Sequence, residues 1–217
     1  MDQSIALPEK PLLRGVIHQV FFFVSLLAGA VLVAAAPFAT ARLACAAYAL
    51  SLASMLGVSA LYHRPTWSPA ARQRMRRLDH SAIFVLIAGT WTPLALTLPS
   101  SSARVMLTVA WSGAALGVIR AVLWIHAPKW VVAVLALAMG WLAVLYLPGI
   151  GVAAGMNVVA WIVLGGVFYS SGALIYALKR PNPWPRVFGY HEIFHALVVA
   201  AAVAHFIGIV SALKAMS

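Results

Sequence analysis

Apolar residues run along this chain in long blocks, with polar and charged residues confined to short gaps between them. The first block is Val16 to Ala36, closed by Pro37 and Arg42, and the second is Leu43 to His63. A segment with five arginines follows, Arg64 through Arg77. Further blocks run Asp79 to Leu98, Val105 to Ile125, Trp130 to Leu147, Asn157 to Leu178 and Phe188 to Leu213. A hydrocarbon core about 30 Å thick is crossed by about 20 apolar residues in a helix. The pattern therefore predicts an all-α, polytopic membrane protein: a bundle of seven transmembrane helices. The first block is too long for a signal-peptide core and lacks a small-x-small cleavage site before Pro37, so it reads as a helix. Residues 1–15 form a cytoplasmic tail, and 16–217 form a single transmembrane domain.

Composition agrees with this pattern. Of 217 residues, 64% are apolar and 9% charged, against about 25% charged in an ordinary soluble domain. Disorder, collagen-like repeats and a disulfide scaffold are excluded, and the one cysteine, Cys45, is a packed small residue in an apolar run. Ala34 to Ala36, Ala200 to Ala202, Gly165 and Gly166 let helices approach closely in lipid.

The net charge of +11 does not indicate nucleic acid, because the cations are dispersed between spans. They report topology instead. Lys10, Arg14, Arg64, Arg72, Arg74, Arg76, Arg77, Lys129, Lys179, Arg180 and Arg186 fall on one side, and only Arg42, Arg104 and Lys214 on the other. Arg120 lies just inside one end of its helix, where it can snorkel. By the positive-inside rule the N-terminus is cytoplasmic and the C-terminus outside, with Trp67, Trp130 and Trp184 as cytoplasmic interface anchors. Of four carboxylates, Asp2 and Glu9 are in the tail, leaving Asp79 and Glu192 for the apolar body. Each adjoins a histidine.

On this topology His63 ends the second helix, Asp79 and His80 open the third, and His191 and His195 open the seventh, all at the cytoplasmic side. Ionisable residues in a membrane are costly and face the bundle interior, so agreement in depth implies a shared site. His191 and His195, at i and i+4, lie above one another on one helical face and can hold one ion, with His63 as a third nitrogen. Three imidazoles and water make a zinc site with an open position. Asp79 can hold that water, accept its proton or orient a ligand imidazole. Ser59, one turn before His63, shares its face and can bond a substrate oxygen or the water. Glu192, about 100° around the helix from His191, can serve a neighbouring helix, an arginine or catalysis. His18, His80, His126 and His205 read first as hydrogen-bonding partners between helices.

Ser59-x-x-x-His63, then Asp79-His80-Ser81, then Gly189-Tyr190-His191-Glu192-Ile193-Phe194-His195 resemble the hemolysin III proteins. These are the bacterial branch of the progestin and adipoQ receptor superfamily, which includes the adiponectin receptors. The resemblance covers nearly the whole chain. It implies seven helices with an internal N-terminus, zinc on His63, His191 and His195, Asp79 contacting the zinc-bound water, and Ser59 nearby. In the first helix Arg14-Gly15-x-x-His18 stands where the family often has Glu and Asn ahead of the histidine; His18 then supports helix one against the site.

The preferred functional reading is a zinc-dependent hydrolase of a lipid amide or ester at the inner leaflet, ceramidase-like, with Asp79 as base. Its partner is membrane lipid, not nucleic acid, and its location the bacterial inner (cytoplasmic) membrane. Three alternatives stand beside it. One is a receptor-like or regulatory module of membrane homeostasis with structural zinc. Another is a cytolytic pore, poorly matched because no ring of charge lines a lumen. The last is an intramembrane metalloprotease using Glu192, which lacks a later acidic ligand.

Overall fold

A computed structural model of the chain describes residues 10–216; Asp2 and Glu9 lie outside the described residues. It is built of helices α1 (Val16–Ala35), α2 (Ala39–His63), α3 (Pro69–Ala95), α4 (Ser100–Leu123), α5 (Lys129–Trp141), α6 (Leu147–Ala154), α7 (Met156–Leu178) and α8 (Tyr190–Ala215). A 3-10 segment, Leu142–Tyr146, joins α5 to α6. Trp130–Ala154 therefore acts as one bent span. With α1, α2, α4, α7 and α8 it gives six helical stretches long and apolar enough to cross a membrane. The central α3 is the seventh long helix; its first half carries Arg72, Arg74, Arg76 and Arg77, and its second half is apolar. The chain is an all-helical membrane bundle.

Two boundaries differ most from the sequence reading. The arginine segment, expected as a loop, is mostly the first turns of α3. Ser68 caps them by accepting the Ala71 N–H at 3.4 Å, and Pro69 occupies the first turn, where its missing N–H costs nothing. The fifth span, expected to stop at Leu147, runs on to Ala154, because Pro148 falls in the first turn of α6 and starts a helix there. Gly155, at φ 97, then turns the chain into α7.

Sequential helices pack as neighbours: α1 on α2, α2 on α3, α3 on α4, α7 on α8. Helix α8 also meets α1 and α3, and α5 rests on α3 and α7, all more lightly than the sequential neighbours pack. Tyr48, Phe84, Leu94, Ile150 and Ile209 are fully buried within the bundle. Helix α1 approaches α2 closely at Gly29, where a Cβ would come within 2.7 Å of Ala49 Cβ. Leucines and valines such as Leu27, Leu116 and Val152 are exposed on the outer surface, as lipid-facing positions require.

Candidate metal centre

Two helix starts meet at the end of α2. The segment before α1 is tied to the α7–α8 connection by backbone bonds from Leu12 N–H to Arg186 O (3.0 Å) and Leu13 N–H to Val187 O (3.2 Å). Gly15 follows at φ 78, and a Cβ there would stand 2.8 Å from His63 Cβ. Only glycine permits both that backbone and that approach. Helix α8 starts at Gly189, whose N–H donates to Glu192 Oε2 at 2.8 Å, while Arg14 Nε donates to Glu192 Oε1 at 2.5 Å. Glu192 is 1% exposed. Its two oxygens are thus engaged in capping α8 and pinning the start of α1, which is the arginine pairing among the alternatives the sequence left open. Asn182 Oδ1 accepts the Tyr190 N–H at 3.2 Å and completes the cap.

This frame brings His63, His191 and His195 together. Each offers one ring nitrogen, and those atoms all lie within 4.8 Å of one another. His63 Nε2 and His191 Nε2 are 3.3 Å apart. Two nitrogens bound tetrahedrally to one ion at 2.0–2.1 Å would be separated by about 3.3 Å. The donor set therefore suits a metal ion: three imidazoles from two helices, buried or partly buried. His18, buried on α1, stacks flat on His195 with ring centroids 3.9 Å apart and planes 4° apart. Tyr176 of α7 meets His191 edge-on at 5.4 Å. Stacking of this kind restricts the ring rotations of two members of the group.

Asp79 is not one of that close group. It lines the same cavity as the histidines, and Ser59, 4% exposed, lies within hydrogen-bonding reach of its carboxylate. Tyr62 and Tyr176 also stand within electrostatic reach of Asp79. The other histidines separate. His80 lines the cavity beside Asp79. His126 is exposed after α4. His205 is buried ten residues beyond His195, with Nε2 3.1 Å from the Ile162 carbonyl oxygen.

The cavity measures about 660 Å³. Arg14, Arg72, Arg76 and Tyr190 stand at one end, the histidines and Asp79 follow, and apolar residues including Trp91, Leu137, Trp141 and Ile162 line it as far as His205. From His195 to His205 the helix rises about 15 Å. Sequence reading missed this chamber and the parts of Arg14 and Tyr176. The spacing of Arg14 four residues before His18 was the one available signal for the arginine; nothing marked the tyrosine, since its role depends on how α7 meets α8.

Residues 7–206 match the family model described as haemolysin-III related. The chain belongs to that family. It is 30% identical to a hemolysin-3 homolog of Bacillus subtilis over 130 residues, 59% of this chain and 58% of that protein. The alignment thus spans less than two thirds of that relative's length. Similarity to the hemolysin-3 of Bacillus cereus is 27% over 169 residues, 77% of this chain and 74% of the other. A shorter stretch of 54 residues is 48% identical to the adiponectin receptor protein of Drosophila melanogaster, covering 23% of this chain and 12% of the receptor.

Proposed function

We propose that this haemolysin-III related protein is a zinc-dependent hydrolase of a lipid amide or ester, acting at the inner leaflet of the bacterial cytoplasmic membrane. The observation that carries the reading is one cavity holding three features in order. A three-histidine group opens into it, a carboxylate outside the ligand set lines it, and an apolar chamber of acyl-chain dimensions continues beyond. Binding sites for small molecules commonly enclose about 300–1,000 Å³, and the apolar walls suit a chain that leaves the bilayer without meeting water.

Zinc on His63, His191 and His195 would supply a Lewis acid for the substrate carbonyl and a water of lowered pKa. Asp79 then takes a proton from water at its carboxylate and returns it to the leaving amine or alcohol, releasing a fatty acid. Ser59 orients the Asp79 carboxylate. His18, stacked on His195, holds that ring against α1. The apolar chamber excludes water from the acyl chain and fixes how deep it enters. The positive excess at the cavity mouth supports a cytoplasmic location for this end.

The metalloprotease alternative loses its base, because both oxygens of Glu192 are engaged by Arg14 and Gly189. Comparison of membrane lipids from cells expressing the wild-type chain with those expressing Asp79→Asn tests the hydrolase. An acyl lipid should accumulate in the variant with a matching loss of free fatty acid. Identical lipid profiles would refute the hydrolase reading.

A further inference from the structure

Charge of one sign surrounds the mouth of the cavity. Arg72 and Arg76 are one turn apart on α3 and both line it, with Gln73 between them in sequence. Arg14 lies there too, but its Nε is held by Glu192. Among the described residues that is the only pairing of a lysine or arginine with a carboxylate within 4.0 Å. Arg72 has its guanidinium 5.8 Å from the centre of the Tyr62 ring, and among the described residues neither it nor Arg76 has a carboxylate within 4.0 Å. Lys10 adds to the crowding: burial, then the charges of Arg72 and Arg14, hold it below the ordinary lysine range, and its Nζ donates to Pro65 O at 2.7 Å.

Topology alone would be served by cations facing the lipid or the cytosol, as exposed Arg74 does. Arg74 is on the same helix and outside the cavity lining. Arg72, exposed like Arg74, and the half-buried Arg76 line the cavity instead, at the end that leads to the histidines. Along α3, Arg76 is about 4.5 Å and Arg72 about 10 Å from the level of Asp79. An anion held by their guanidinium forks would sit at the arginine end of the cavity, about one to two helical turns along α3 from the level of Asp79.

We infer that the cavity mouth is a headgroup site, and that the lipid it takes carries an anionic oxygen group, phosphate or carboxylate, a few bonds from its acyl carbonyl. The substrate class rests on the hydrolase reading; the binding site does not. Arginine forks match both groups in geometry and charge.

The test uses the full chain, loaded with zinc, in nanodiscs of neutral lipid. Phosphatidic acid, an N-acyl amino acid and ceramide are the lipid probes, with inorganic phosphate as the free anion. Binding and fatty-acid release are measured separately. At least one anionic lipid should bind about tenfold or more tighter than ceramide, as a charge-assisted contact allows. Arg76→Gln and Arg72→Gln should each reduce that preference about tenfold, whereas Arg74→Gln, which removes the same charge from the same helix, should change it less than twofold. Equal effects of Arg74→Gln and Arg76→Gln, or equal binding of ceramide, would overturn the inference. Inorganic phosphate binding as tightly as phosphatidic acid would overturn the lipid as the source of the anion. Arg76-dependent binding without fatty-acid release would keep the headgroup site and remove the hydrolase; release without charge preference would do the reverse.

Discussion

Asp79→Asn is expected to lower turnover of an acyl lipid by about 10² to 10⁴, the usual contribution of a positioned general base, while metal content stays at the wild-type level. The split follows from position. Asp79 lines the cavity with the histidines but lies outside their close group, so its loss removes a proton acceptor and no ligand. Glu192→Gln supplies the contrast. Glu192 has its oxygens on Arg14 and Gly189, and turnover in that variant should fall much less than in Asp79→Asn. Fatty-acid release by both purified variants, with metal analysis of the same samples, decides the matter. The opposite order would remove Asp79 as the base.

Arg14→Ala is expected to cost stability on a scale the active-site variants do not. Glu192 is 1% exposed, and the Arg14 side chain is 23% exposed. Removing one partner of a buried pair leaves an uncompensated charge, at a cost of about 3–5 kcal/mol in well-buried cases; the partial exposure of Arg14 places this pair at about 3 kcal/mol or below. Glu192→Gln destabilises for a related reason. Both groups facing Glu192 are N–H donors, and an amide has a single oxygen to offer them, so its NH2 meets a donor. The two variants act on one contact, so the double variant should lose less than the sum of the single losses. Thermal unfolding of the four proteins in detergent checks this, and additive losses would show that the pair does not link α1 to α8.

The span count and the histidine triad were legible because membrane helices impose two strong constraints at once. Hydrophobic runs place helix ends, and the alternation of sides then fixes which polar residues share a depth. His63, His191 and His195 needed only that, plus one-turn spacing on α8. Residues whose roles depend on lateral packing were not legible. Glu192 was left among three roles, since its partners Arg14 and Gly189 lie at a helix junction set by Gly15. Tyr176 reached His191 only because α7 lies against α8. The longer fifth span was hidden by Pro148, which marks a helix start as readily as a stop. The basic segment looked like a loop because charge dominated the capping signal of Ser68 and Pro69.

Metal content of the purified protein tests the central claim most directly, namely that α2 and α8 jointly build one metal site. The wild-type chain should carry about one zinc per molecule, and His63→Ala, which leaves the two-histidine face of α8 intact, should reduce it to near zero. Full zinc occupancy in His63→Ala, or none in the correctly folded wild-type chain purified with zinc present, would contradict it.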